Sequence, residues 1–328
     1  MDLIIKTLIA WLCLLPIGIV LQASEPKVPE GTSSMEARQT AIRQVPLNIL
    51  NEQARQKLVP VLEDPSLFRR MPSQVIESDP EMFTFLVRHP EVLVNIWDIM
   101  GITHVTVERL TPFIFHGKDG AGTECKAELI YGSDELHIYY GTGSYDGTLV
   151  GRELKGRCVC ILHSKPSRSA AGVSMVTGQM DVFLKLDNIG ADLIVKTIGP
   201  FVGKTADNNF IESAKFISQL STAAERNPVA IQQLSAKMTK IQPSVRDQFA
   251  LVAAQVAKRN VHYTSASTGD AVRIGTESYK GMLIGNGPVP ENMTTGEDVI
   301  QAWKNQSKVP AQDLHLRSFD KSETSLRR

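Results

Sequence analysis

The chain has 328 residues, and 42% of them are hydrophobic, which is enough apolar material to fill the core of one large or two small domains. Its 35 basic and 35 acidic residues cancel to a formal net charge of zero. Because no net field draws the protein to phosphates or anionic lipids, the composition argues against nucleic-acid binding, and no nucleic-acid partner is predicted.

Residues 1–23 have the composition of a targeting segment. The run from Leu8 to Leu21 is uncharged and almost wholly apolar, as in the hydrophobic region of a signal peptide. Ala23 is small enough for a signal peptidase to cut before Ser24, although Leu21 is large for its position. The alternative is an uncleaved anchor, although the run is short beside the roughly 20 apolar residues that cross a bilayer. Both alternatives predict an exported protein, periplasmic or extracellular, that contacts a membrane only through an uncleaved N-terminus.

The next part of the chain changes from linker to helix. Residues 24–46 are rich in Pro, Gly and Ser and poor in apolar residues, which predicts a linker. Apolar residues at helical spacing predict a first helix from Leu47 to Leu58. Further helices are predicted near Leu67, from the capping residue Asp79 to Pro90, and from there to Gly101.

Strand patterns begin at Thr103. Six stretches alternate apolar and polar residues or are rich in β-branched and aromatic residues, and short Gly-, Asp- and Ser-rich turns separate most of them. Gaps this short favour an antiparallel meander. The predicted strands are His104–Arg109, Phe113–His116, Thr123–Tyr131, Glu135–Gly141, Arg152–His163 and Val173–Leu186.

Helical periodicity returns after Asp187. A short helix is predicted from Ala191 to Ile198, a longer one from Asp207 to Ala224, and a helical extension over residues 225–263. Residues 264–328 are predicted to be an irregular or disordered tail, because Gly, Ser, Thr, Asn and Pro dominate there.

This order of elements predicts an α+β fold in which an antiparallel meander grips a long helix. Together with the passage from Asp181 to Asp187 that leads into Phe210–Leu220, it resembles the helix-grip fold of the START-like proteins, the polyketide cyclase or SRPBCC superfamily. The resemblance covers roughly Pro72 to Ala224, and residues 47–224 are assigned to this domain. It implies an apolar cavity between sheet and helix for a lipid, sterol or polyketide-like molecule.

Six aromatic residues are the candidate ligand-binding residues, chosen for their bulk on the meander and the long helix. They are Phe113, Phe115, Tyr139, Phe183, Phe210 and Phe216. The predicted function is therefore binding of an apolar small molecule or lipid. The alternatives are a START-like enzyme of unknown reaction and a structural or partner-binding envelope protein. No catalytic residue, metal site or cofactor is predicted, because the sequence contains no serine elbow and no paired-histidine zinc motif.

Three cysteines follow the targeting segment. Cys158 and Cys160 flank one residue of a predicted strand and so share a face, where either could meet Cys125 across the sheet. The alternatives are one disulfide with a free thiol, or three buried thiols. A metal site formed with His163 fails, because strand alternation turns His163 to the opposite face.

Overall fold

The computed structural model describes residues 30–146, 153–187 and 191–267, and it describes side chains within 30–146, 153–187 and 203–259. The predicted targeting segment and the tail beyond Ser267 lie outside these residues. Within the described part of the chain, no helix is long and apolar enough to cross a bilayer.

Eight antiparallel strands form a single sheet. Along its main path the order is β1-β8-β7-β6-β5-β4-β3, and β2 also pairs with β8. From β3 to β8, each strand pairs with the next one along the chain, which is the predicted meander. The strands are Leu67–Arg70 (β1), Gln74–Glu77 (β2), Thr106–Thr111 (β3), Ile114–Lys118 (β4), Thr123–Gly132 (β5), Leu136–Tyr145 (β6), Leu154–Arg168 (β7) and Ser174–Asp187 (β8).

Helices cover both faces of the sheet. Two precede β1, two lie between β2 and β3, and three follow β8. They are Met35–Gln44 (α1), Glu52–Glu63 (α2), Pro80–Arg88 (α3), Pro90–Ile99 (α4), Ala191–Arg226 (α5), Pro228–Lys237 (α6) and Pro243–Ser267 (α7). The α+β class with an antiparallel sheet against a long helix is therefore confirmed.

Local sequence explains where several helices begin. The side chain of Asp79 accepts hydrogen bonds from the backbone N–H groups of Glu81 and Met82, and Pro80 occupies the first turn of α3. The side chain of Asn51 accepts from the N–H of Ala54 at the start of α2 in the same way. These caps satisfy donors that a helix leaves unpaired at its N-terminus.

Alternation along the strands divides the core into two clusters. On the front face, as we name it, Tyr139, Leu162, Met180 and Val182 pack with helices α3 to α7. On the back face, Ile138, Val159, Ile161 and Phe183 pack with α1 and α2. Period-two alternation in β8 therefore sends Met180 and Val182 to one face and Phe183 to the other, as the sequence pattern predicts.

Three sequence predictions need correction. The predicted linker contains helix α1, whose Ala37 and Ala41 are buried in the back-face cluster one helical turn apart. The segment at Leu67 is a strand and not a helix, because pairing with β8 satisfies its backbone. The two helices predicted between Ala191 and Ala224 are the single helix α5.

The predicted helical extension is present as α6 and α7. Ile231 and Leu234 of α6 and Phe249 of α7 belong to the front-face cluster, so these helices share the core of the sheet. Helix α7 ends at Ser267 and thus enters the range predicted as a tail.

Candidate functional site

A cavity of about 100 Å³ lies between the front face of the sheet and helices α3, α4 and α5. Each strand from β2 to β8 contributes one residue to its wall, and the three helices contribute the rest. The seventeen lining residues are Ile76, Phe83, Leu86, Val87, Pro90, Leu93, Trp97, Val107, Phe115, Ala127, Tyr139, Leu162, Met180, Phe210, Ser213, Ala214 and Ile217.

Small residues leave space on two sides of the cavity. Ala127 of β5 lies opposite Phe115 of β4 in the strand register, and Ala214 lies on helix α5. The rings of Phe115 and Tyr139 stand 6.4 Å apart between their centroids. The two aromatic side chains therefore border the cavity and do not fill it.

Polar groups on the wall are few. Of the lining residues, Trp97, Tyr139 and Ser213 carry a side-chain N–H or O–H group. The Tyr139 hydroxyl donates to the carbonyl oxygen of Val87 at 2.7 Å, and burial raises the pKa of Tyr139 above its usual range. The indole Nε1 of Trp97 and the Oγ of Ser213 are buried and have no hydrogen-bond partner within the described residues.

A buried ion pair fixes one end of the wall. Arg109 of β3 donates to Glu91 of α4 at 2.6 Å and to the carbonyl oxygen of Arg88 at 2.7 Å. Its guanidinium also lies 4.5 Å from the ring centroid of Phe115, within cation–π range. Burial raises the pKa of Glu91, and the contact with Arg109 opposes that shift. These contacts join strand β3 to the junction of α3 and α4 and orient Phe115.

Partly buried His89 and fully buried His137 lie near the same junction. His89 stacks on Phe85, and His137 accepts a hydrogen bond from Nε of Arg88 at 3.0 Å through its Nε2. Burial lowers the pKa of each histidine to about 4, so both imidazoles are neutral at pH 7. Neither residue lines the cavity.

Three of the six candidate ligand-binding residues lie on the cavity wall, and three do not. Phe115, Tyr139 and Phe210 lie on the wall, and their binding role stays a prediction. Phe113 precedes β4 and is 60% exposed, so it cannot line an interior cavity. Phe183 faces the back, where its ring centroid is 4.8 Å from that of Phe68. Phe216 lies behind the wall against Trp97, at 5.5 Å between ring centroids.

Sequence reasoning missed the contribution of the helices before the meander. Phe83, Leu93 and Trp97 form part of the wall, although they resemble ordinary core positions of amphipathic helices. The sequence did not indicate Ser213 as a wall residue either, because single serines are common on the solvent-exposed faces of helices. The contact between Trp97 and Phe216 becomes visible only once α4 packs on α5.

The three cysteines after the targeting segment carry free thiols, so the disulfide alternative is wrong; Cys125 and Cys160 are buried, whereas Cys158 is only partly buried. Cys125 and Cys158 lie on β5 and β7 with β6 between them. Two strand spacings are about 9.5 Å, beyond the roughly 7 Å that a disulfide allows between Cα atoms. No group of three or more metal-ligating side chains occurs in the part of the chain that the structure describes.

No protein-family model and no curated protein sequence matches this chain. Solved structures do match over the folded part. An uncharacterised protein from Rhizobium leguminosarum has 14% identity over 44% of this chain and 94% of its own, with a TM-score of 0.27. The hypothetical protein jhp0584 from Helicobacter pylori has 9% identity over 49% and 94%, with a TM-score of 0.32. The di-domain ARO/CYC protein BexL of the BE-7585A biosynthetic pathway has 13% identity over 53% and 58%, with a TM-score of 0.23. These values leave the function to be argued from the cavity itself.

Proposed function

We propose that the protein binds a small apolar molecule in the front-face cavity. The observation that carries the proposal is the composition of the wall, where apolar side chains from seven strands and three helices surround one space. Enclosed apolar walls with few polar groups are typical of ligand-binding sites. Because the lining side chains are held by the sheet and by buried helices, the site is formed before a ligand arrives.

The wall chemistry favours binding over acid–base catalysis. Within the described side chains, Tyr139 is the only ordinary titratable group on the wall. Its hydroxyl proton is engaged with Val87, and its raised pKa keeps it protonated at neutral pH. Acid–base catalysis in this cavity would need a group that exchanges protons near pH 7 at the reacting atom.

The volume sets the size of the ligand. A cavity of about 150 Å³ lined by Leu, Ile and Phe binds benzene. The space here is about 100 Å³, which corresponds to a short alkyl chain or a single small ring. A sterol or a full-length acyl chain would require the wall to move or part of the ligand to stay outside.

A pair of matched variants tests the proposal. Ala214 lies on the wall, whereas Ala223 is buried on the same helix away from it. Ala214→Leu should fill the cavity and abolish binding of toluene, measured by methyl-resolved NMR titration. Ala223→Leu overpacks solid core, so we expect a loss of about 1–3 kcal/mol in the free energy of unfolding with toluene binding retained. A wild-type protein that shows no toluene-dependent shift would contradict the proposal.

We also propose that binding takes place outside the cytoplasm. The support is the uncharged apolar run from Leu8 to Leu21, followed by small Ala23. Expression in a bacterial host, followed by N-terminal sequencing of the fractionated protein, tests it. A start at Ser24 in the periplasm supports cleavage, and a start at Met1 in the membrane supports an anchor. Recovery of the full chain from the cytosol alone would overturn this part of the proposal.

A further inference from the structure

We infer that Cys158 and Cys160 form a binding site for one Cu(I) ion on strand β7, with their two sulfur atoms as its ligands. The inference goes beyond the proposed function, because it rests on the sheet and not on the cavity. Three observations carry it. The two thiols lie on the same face of one strand, they contact each other, and Cys158 is partly open to solvent.

Strand β7 places both side chains on the front face. Residues two apart in a strand point to the same side, and both cysteines pack in the front-face cluster, Cys160 within it and Cys158 against it. The register sets Cys158 opposite Gly141 of β6. A Cβ atom at Gly141 would stand 2.6 Å from the Sγ of Cys158. The glycine therefore lets this sulfur lie close against the neighbouring strand.

The two thiols are in contact. A side-chain hydrogen bond joins Cys158 to Cys160, and this bond lowers the pKa of Cys158. A lower pKa favours the thiolate, which is the form that binds metal ions. Metal–thiolate bonds are about 2.3 Å long, so an ion between two sulfurs holds them about 4.6 Å apart. Two side chains that already share a hydrogen bond can reach that separation by small rotations.

The spacing of the pair suits an ion better than a disulfide. Residues two apart in an extended strand have Cα atoms about 6.4–6.8 Å apart, at the upper end of the range that disulfides allow. Both cysteines are paired with β6 on one side and with β8 on the other, so the strand cannot shorten here without loss of that pairing. Both thiols are free. An ion can bridge them without any movement of the backbone.

The number of donors selects the ion. Among the described side chains, no third His, Cys, Asp or Glu joins the two cysteines as a metal ligand. Soft thiolates suit Cu(I), zinc and iron–sulfur clusters, but structural zinc sites and the clusters take four protein ligands. Cu(I) forms stable complexes with two thiolates in line. A pair of thiolates therefore matches Cu(I) and leaves the other two incompletely bound.

The ion can reach the pair from the side of Cys158, which is partly exposed, whereas Cys160 is 2% exposed. Binding forms two copper–sulfur bonds, and the two thiol protons pass to solvent with no change of oxidation state. Because protons compete with the ion for both sulfurs, the affinity for Cu(I) should fall as the pH is lowered.

An anaerobic titration of the full chain with Cu(I) tests the inference. Every sample carries Cys13→Ser, so that Cys125, Cys158 and Cys160 are the cysteines that remain. Cu(I) is supplied as its coloured complex with bathocuproine disulfonate, and loss of the colour measures transfer to the protein. We expect one Cu(I) per chain, and loss of this transfer in Cys158→Ser and in Cys160→Ser.

Cys125→Ser is the matched control, because Cys125 lies in the same sheet but is separated from Cys158 by strand β6. This variant should take up one Cu(I), as the parent chain does. Circular dichroism and urea unfolding show whether each variant is folded. Cys158→Ser changes a partly exposed residue, so it tests the inference even if buried Cys160→Ser does not fold.

X-ray absorption at the copper edge should show two sulfur neighbours at one distance. No uptake by the parent chain, or full uptake by folded Cys158→Ser, would overturn the site. A third sulfur neighbour, or loss of uptake in folded Cys125→Ser, would overturn the assignment of the two ligands. If Zn(II) displaces Cu(I) from the pair at equal concentration, the choice of ion is wrong.

Discussion

The front and back faces of the sheet draw alternate residues from the same strands, and they are closed in different ways. On the back face, short helix α2 packs directly on β7 and β8, α1 packs on β1, and Leu58, Val61 and Phe183 are fully buried. On the front face, helices α3 to α5 and the sheet leave a cavity between them, with small Ala127 on its sheet side and Ala214 on its helix side.

The difference shows how one sheet combines stability with binding. A closely packed face gains dispersion contacts along every side chain, whereas a wall that borders a cavity loses them on one side. The back face also contains the buried pair of Arg70 and Asp181, which joins β1 to β8 at 2.7 Å. We therefore expect the back face to hold the fold and the front face to tolerate changes that alter binding.

The largest expected effect is a truncation on the back face. Phe183→Ala removes a fully buried ring that packs on Phe68, and we expect a loss of about 3–5 kcal/mol in the free energy of unfolding. Phe210→Ala removes a ring that borders the cavity, so it should cost about 3 kcal/mol or less. Urea unfolding of both variants checks the order. Equal losses would contradict the difference between the faces.

The ion pair of the back face should give the next effect. Asp181 is fully buried, and Arg70 donates to it through two nitrogens. Asp181→Asn leaves the guanidinium without its counter-ion and should cost about 3 kcal/mol by urea unfolding. The double variant Arg70→Met with Asp181→Leu should recover most of that loss, because it removes both charges. If the double variant is no more stable than Asp181→Asn, side-chain packing at this site, and not the unpaired charge, determines the loss of stability.

Acid should weaken the front face at His137. Its folded-state pKa is about 4, lowered mainly by burial, against an ordinary value of 6.5. Between these values the unfolded chain binds a proton that the folded chain does not, so stability falls as pH drops from about 6.5 to 4. His137→Gln should flatten this part of the stability–pH curve relative to wild type. If the stability of wild type and of His137→Gln falls equally over this pH range, His137 is not the group responsible for the loss.

The smallest expected effect is at Phe113. Because this side chain is 60% exposed, Phe113→Ser should change the free energy of unfolding by no more than about 0.5 kcal/mol. It should also leave toluene binding unchanged, in contrast to Ala214→Leu. A loss of binding in Phe113→Ser would restore the residue to the candidate site.

Local sequence determined the class of the fold. Alternation in β8 assigned Met180, Val182 and Phe183 to their faces, and turns between the strands predicted the antiparallel meander. These features depend on residues close in the chain, where spacing alone decides which side chains share a face. The cap at Asp79 was visible for the same reason.

Only the tertiary structure decided which of these residues enclose a cavity. The size of an aromatic side chain does not show which residues pack against it. For this reason the sequence did not distinguish Phe115 and Phe210, which lie on the cavity wall, from Phe183, which lies on the back face. Helix α1 formed within a composition typical of linkers, because the back face of the sheet covers its alanines. Trp97 and Phe216 lie 119 positions apart in the sequence, and only the packing of α4 on α5 brings their ring centroids within 5.5 Å.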